Sequence, residues 1–245
     1  MSSYERFAYI YDELMNDFDY VNWAKYINEI ITKENRVVKN VLEMACGTGS
    51  LTKELLKSGY NVDAFDLSVD MLAIAWDKLK SHKNCHLFNL DMTKFRINKK
   101  YDLVISACDS INYILQEELI LEAFKNAYDH LGEEGLFIFD INSFYKLTVV
   151  LGNNVFIEDR DDIFYTWDNH LDTDTNIVDF YLTFFVKNES LYNRFDEHHR
   201  EKAYKYERIM ELLHTSGFSD VKAYQGFSFD GVKANTERIN FVAKK

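Results

Sequence analysis

From residue 41 onward, short apolar runs alternate with segments whose apolar residues recur every three or four positions. Val41–Ala45, Val62–Phe65, His86–Leu90, Tyr101–Ala107 and Leu136–Ile141 have the length and composition of buried strands. Leu51–Lys57, Val69–Leu79 and Glu117–Leu131 carry the helical period. This alternation predicts a parallel sheet covered by helices on both faces, a doubly wound α/β arrangement. The first 35 or so residues read as two helices. Tyr4, Phe7 and Tyr11 fall at i, i+3 and i+7, and Asp19 stands where it would cap a second helix through Trp23, Tyr26, Ile27 and Ile30.

After Asn142 the pattern changes. Ile163–His170, Ile177–Val186 and Leu191–Arg200 look like three antiparallel strands, with turns in the 169–176 and 187–190 segments. The first rhythm then returns. Tyr206–Ser216 reads as a helix stopped by Gly217, and Val221–Phe229 and Arg238–Ala243 as two closing strands. The expected organisation is one α/β domain built from 1–143 and 204–245, with 1–35 as a helical lid, interrupted by a β-rich insertion at 144–203 that forms a cap.

Composition narrows the function classes. Hydrophobic residues make up 47% of the 245, enough for a sizeable core. No apolar run approaches the ~20 residues of a membrane span, and the N-terminus lacks a basic-then-apolar leader pattern. Three cysteines, Cys46, Cys85 and Cys108, are too few and too scattered for a disulfide framework, which points to a reduced, cytoplasmic protein. A net charge of −12 with no dense basic stripe argues against nucleic acid as a partner. There is no proline, so turns must come from Gly, Asn and Asp.

The most informative stretch is Val41-Leu-Glu-Met-Ala-Cys-Gly-Thr-Gly-Ser-Leu-Thr52: an apolar strand carrying an acid, then Gly47-Thr-Gly49, then a helix. Glycine permits a sharp turn and close approach of a ligand to the peptide groups. The carboxyl ends of the strands are where doubly wound sheets bind ligands. A dinucleotide site calls for a third glycine where this chain has Thr52. Glu43, four residues before Gly47, would repel a pyrophosphate but suits a cation such as S-adenosylmethionine (SAM), which carries an ammonium and a sulfonium. A strand-turn-helix with incidental glycines is the third reading.

Three further strand ends carry polar groups. Phe65-Asp66-Leu67-Ser68 with Met71 offers an acid for two ribose hydroxyls, a feature shared with dinucleotide enzymes; helix capping by Asp66 or Ser68 is the plain alternative. Leu90-Asp91-Met92 offers an acid for an adenine amino group and a side chain to pack on the ring. Ala107-Cys-Asp109-Ser-Ile-Asn112-Tyr113 puts a polar cluster at the methyl-donor end of the cleft, where ordinary loop chemistry competes.

On these residues the chain resembles the class I SAM-dependent methyltransferases over nearly its full length. Glu43-x-x-x-Gly47-x-Gly49, together with Ala45, looks like the family's first motif. Asp66 and Leu67 look like the ribose contact, Asp91-Met92 like the adenine contact, and Tyr101-Asp-Leu-Val-Ile, ending in Ala107, like the fourth strand. The resemblance implies a Rossmann-like seven-stranded sheet with an antiparallel last strand, and SAM as cofactor. More closely, the chain is similar to bacterial small-molecule methyltransferases that include amino-sugar N,N-dimethyltransferases. Phe7-Ala-Tyr-Ile-Tyr11-Asp12 opens the chain as in that group, Asp109-Ser-Ile-Asn-Tyr113 follows strand four, and the insertion ends in Glu197-His-His199. Glycine N-methyltransferases have a comparable aromatic opening, and Tyr11 and Trp23 match the positions that approach the methionine part of SAM. Without proline the chain cannot hold the Asn/Asp-Pro-Pro-aromatic loop of DNA adenine and protein glutamine methylases.

The reading is transfer of a methyl group from SAM to a small-molecule acceptor, an amine in preference to an oxygen, with Asp109 and His199 as candidate proton acceptors. His198 and His199 are neighbours in a strand, so only one faces the cleft. Alternatives are an RNA or protein methyltransferase, for which a basic face or extra domain is expected, and a SAM-binding protein without catalysis. His82, Cys85 and His86 lack a clear fourth metal ligand. The acidic run Glu158-Asp-Arg-Asp-Asp162 reads as a solvated loop.

Overall fold

A computed structural model describes residues 10–15 and 18–245; Tyr4 and Phe7 lie outside them. Residues 10–14 are helical. Helix α1 (Tyr20–Lys33) begins at Asp19, whose carboxylate accepts the Asn22 N–H at 2.8 Å, the expected cap. Then follow β1 (Asn40–Met44), α2 (Ser50–Lys57), β2 (Asn61–Asp66), α3 (Val69–Leu79), β3 (Cys85–Asn89), β4 (Tyr101–Ser106), α4 (Glu117–His130) and β5 (Leu131–Asn142). Four strands come next: β6 (Val155–Asp159), β7 (Ile163–Asp172), β8 (Ile177–Asn188) and β9 (Leu191–Lys202). Helix α5 (Tyr206–Thr215) and strands β10 (Asp220–Gln225) and β11 (Arg238–Lys244) close the chain.

The main sheet has seven strands in the order β10-β11-β5-β4-β1-β2-β3. Strands β1 to β5 are parallel, while β11 runs antiparallel to both β5 and β10. The order reverses between β1 and β4, which opens a crevice at their carboxyl ends. Because neighbouring residues of a strand face opposite sides, each central strand feeds two cores. On one side Val41, Leu103 and Ile138 meet Trp23, Ile27, Leu55 and Ala75 of α1 to α3. On the other, Leu42, Val104 and Phe139 meet Phe124, Ala127, Ile209 and Leu213 of α4 and α5.

The second sheet is antiparallel, ordered β6-β7-β8-β9. Ile163, Phe184 and Phe195 of its inner face pack with Met71 of α3, Ile10, Tyr11 and Leu14. Val178 and Phe180 pack on Leu147 and Leu151, in a π-helical turn that enters the insertion. Strand β6 is one more strand than the sequence predicts. The acidic run is not a loop throughout: Glu158 and Asp159 are in β6, paired with Tyr165 and Phe164, and only residues 160–162 turn.

Candidate functional site

The turn after β1 is built on left-handed backbone. Ala45, Gly47 and Gly49 have φ of 54°, 55° and 75°. A side chain at Gly49 would stand 2.8 Å from Leu79 Cδ1 and 3.2 Å from Ala75 Cβ, so glycine here lets α2 lie against α3. At Gly47 a Cβ would meet nothing within 4 Å, so this peptide is open to approach. Beneath the turn Glu43 is buried, and Thr52 Oγ1 donates to its Oε2 at 2.6 Å. Burial pushes the Glu43 carboxyl up to about 8, against the Thr52 hydrogen bond and with added repulsion from Asp66. Thr52, which breaks the dinucleotide pattern, is thus the partner of the motif's acid.

Asp66 ends β2. Its Oδ2 accepts the Gly47 N–H at 2.8 Å and its Oδ1 the Ser68 N–H at 2.8 Å. Burial raises its pKa, against these backbone hydrogen bonds. The cap of α3 is Ser68, which accepts the Met71 N–H at 3.2 Å, so Asp66 stays on the crevice. Leu67 is 70% exposed at its rim. Asp91 Oδ1 accepts from the Thr93 N–H and hydroxyl at 2.9 and 2.7 Å; Met92 packs on the α4–α5 core.

Beyond buried Ala107, Cys108 and Asp109 have φ of 60° and 52°. This strained turn is held by a pair that sequence reasoning did not find. Arg238 of β11 bonds Asp109 Oδ1 at 2.8 Å and also bonds Asp140 of β5; Asp140 Oδ2 takes the Asp109 N–H at 3.1 Å. Asp140 is fully buried, and its Oδ1 has no hydrogen-bond partner among the described residues. Arg238 lies 129 positions from Asp109 and reads as an ordinary strand residue, so no local pattern flags it. Asn112, read in the sequence only as part of the polar cluster after strand four, has a structural task. Its amide donates to the Asn142 carbonyl at 3.1 Å and the Lys202 carbonyl at 3.0 Å, tying the post-β4 segment to both sheets.

Along β9, Phe195, Glu197, His199 and Glu201 turn inward and His198 outward. His198 bonds Asp179 at 2.6 Å on the outer face. The His199 ring sits edge-on to Tyr113 at 6.1 Å, and burial followed by the charge of His198 lowers its pKa. Glu201, equally absent from the sequence reading, is buried and accepts the Asn142 amide at 2.9 Å. Burial raises its pKa, with Asp109 adding to the effect. Tyr11 is raised likewise, first by burial and then by Cys108, Tyr20, Tyr113 and Asp109, which puts it over the same crevice. Trp23 is placed differently. It is fully buried in α1, edge-on to Phe227 at 5.3 Å, and its indole N–H has no partner among the described residues.

The crevice therefore offers an open glycine peptide and the carboxyls of Glu43 and Asp66. That set fits a ligand with ammonium and hydroxyl groups, and it opposes a pyrophosphate. A methyltransferase domain family matches residues 41–135. A SAM-dependent methyltransferase from Clostridium acetobutylicum ATCC 824 is 41% identical and superposes with a TM-score of 0.90, covering 98% of both chains. This chain is a SAM-dependent methyltransferase. YqeM of Bacillus subtilis (strain 168) is 32% identical to this methyltransferase over 99% of this chain and 97% of its own. DesVI of Streptomyces venezuelae, at 21% identity and a TM-score of 0.82 over 96% of both chains, shares the fold. Among the described residues, no helix of the methyltransferase is long and apolar enough to cross a membrane.

Proposed function

We propose that this methyltransferase methylates an amine nitrogen of a small molecule held between the post-β4 turn and the inner face of β9. SAM supplies an electrophilic methyl on its sulfonium. Glu43, Ala45, Gly47 and Gly49 would hold its methionine part with Tyr11 and Trp23. Asp66 and Leu67 would hold the ribose, and Asp91, Met92 and Met71 the adenine, while Ala107 floors the crevice. Residues 144–203 roof the acceptor and 1–35 act as the lid over a core of 1–143 and 204–245.

The observation that carries the reading is His199. Its inward, half-buried ring beside Tyr113 has a lowered pKa, so near neutral pH the imidazole is uncharged and ready to accept a proton. An amine must lose a proton to become a nucleophile, and His199 can take it. Asp109, held by Arg238 through Oδ1, orients the acceptor. A glycine/sarcosine N-methyltransferase from Aphanothece halophytica, 26% identical over 98% of this chain and 89% of its own, adds an amine-methylating relative. The acidic balance supports a small acceptor in place of nucleic acid, and three free thiols support a cytoplasmic setting.

The test is S-adenosylhomocysteine (SAH) release with pooled amines, amino sugars and hydroxylated metabolites. Amine-dependent turnover is expected, with His199→Gln lowering kcat/KM by about 10²-fold and removing its fall below pH 6.5. Turnover with hydroxyl acceptors alone, with RNA or with protein would overturn the reading. SAH binding without turnover of any acceptor would leave a binding protein.

A further inference from the structure

Asp12 is next to Tyr11 in the helical segment 10–14, and no role given above uses it. Its Oδ1 accepts from Thr48 Oγ1 at 2.6 Å and Ser50 Oγ at 3.2 Å, and its Oδ2 from Lys78 Nζ at 2.7 Å. Lys78 also donates to Ser50 Oγ at 2.7 Å. Thr48 and Ser50 flank Gly49, the residue that caps α2 without any side-chain hydrogen bond of its own. A helix start that lacks its own cap, with two hydroxyls and a lysine around it, attracts an anion. Here the anion is a carboxylate from 36 positions upstream of Thr48.

That grip has a consequence for Tyr11. Tyr11 bonds Tyr20 and packs with Met71, Ile163 and Phe184, so it bridges the crevice, α3 and the second sheet. We propose that Asp12 is a positioning residue for donor binding: docked on the glycine turn through Thr48, Ser50 and Lys78, it holds Tyr11 across the cofactor crevice and sets how long bound cofactor stays. The inference rests on Tyr11 being a cofactor contact. Burial opposes the charge on Asp12, but the Lys78 and Thr48 hydrogen bonds outweigh it and keep the carboxylate ionised. The pair is partly solvated, with side-chain exposures of 18% for Lys78 and 38% for Asp12. An anchor of this kind is open to salt and can be released.

The experiment measures association and release of SAH on the full chain by stopped flow. Asp12→Asn and Lys78→Met are expected to speed release about tenfold with association within about twofold, since such changes fall mainly on release. The conservative variant Asp12→Glu, which keeps an anion at the helix start, is expected to hold release within about threefold of the wild type. Raising salt from about 0.05 to 0.5 M should speed release from the wild type and not from Asp12→Asn. Release from Asp12→Asn within twofold of wild type, or release from Asp12→Glu as fast as from Asp12→Asn, overturns the proposal. Should Asp12→Asn melt early, Lys78→Met and Thr48→Val carry the same test. Asp66→Ala separates the two readings. Lost SAH binding there with unchanged release from Asp12→Asn sinks the anchor alone, and retained SAH binding in Asp66→Ala sinks the assigned cofactor contacts.

Discussion

Glu43 is 2% exposed, accepts one hydrogen bond from Thr52, and is pushed up to about 8 by burial, with Asp66 adding repulsion. At neutral pH this carboxyl is largely protonated. With the SAM ammonium placed beside Glu43 as proposed, its charge favours the ionised form, and binding is expected to lower the pKa and expel a proton. The apparent affinity is expected to rise with pH from 6 to 8, by at most about tenfold per pH unit. Calorimetry in two buffers of different ionisation enthalpy would detect the proton, and Glu43→Gln should flatten the dependence. The unliganded protein behaves oppositely. A raised acid contributes its full stability below its unfolded value of 4.5 and loses it as pH rises toward 8. Glu201 acts in the same direction, so melting temperature should fall over that window unless SAM is present. At this scale the first motif was legible because Glu43, Gly47 and Gly49 lie within one strand and turn. The grip of Arg238 on Asp109 was not, because two strands distant in sequence must first pair around β5.

The turn between β1 and α2 does two jobs at two glycines. Gly49 sits where a Cβ would meet Leu79 and Ala75, whereas the space at Gly47 is open. Gly49→Ala combines left-handed strain with overpacking and should cost about 1–3 kcal/mol, read as a lower melting temperature. Gly47→Ala carries strain of about 1 kcal/mol and puts its methyl on the open face proposed to meet the cofactor, so its loss should appear mainly in SAH affinity. Equal damage from the two substitutions to stability and to affinity, or the reverse order, would refute this division. Most elements were legible because their apolar residues keep one period. Helix α3 matches its predicted Val69–Leu79 span, and β10 differs from its predicted range mainly by ending at Gln225, before the left-handed Gly226. Strand β6 was missed because its pattern is inverted. Val155 and Ile157 point outward at 60% and 64% exposure while charged residues end the strand, so neither alternation nor composition marks a buried face.

Across the whole molecule, acids outnumber basic residues by twelve, and several of them gather at the carboxyl ends of the sheet. Glu43 and Asp66 lie at one end of the crevice and Asp109, Asp140 and Glu201 at the other, with Arg238 bonded to Asp109 and Asp140. Low-dielectric walls strengthen such a field. Its natural counterpart is a cation, which accounts for the sulfonium of SAM and agrees with the amine acceptor proposed above. SAM and SAH give a direct test, because they differ by one methyl and one positive charge. In an acidic crevice the charged form gains from the field and the neutral sulfide does not. Added salt shortens the screening length from ~10 Å at 0.1 M to ~3 Å at 1 M and weakens the part of the field that passes through solvent. The ratio of SAM affinity to SAH affinity is therefore expected to fall severalfold between about 0.05 and 1 M salt, with SAH affinity itself changing less. Titrations of both ligands across that range would decide it. A ratio that stays constant would mean that the acids of the crevice are neutralised by their own partners or protonated, and that the preference for a cation comes from contacts and not from the charge of the molecule.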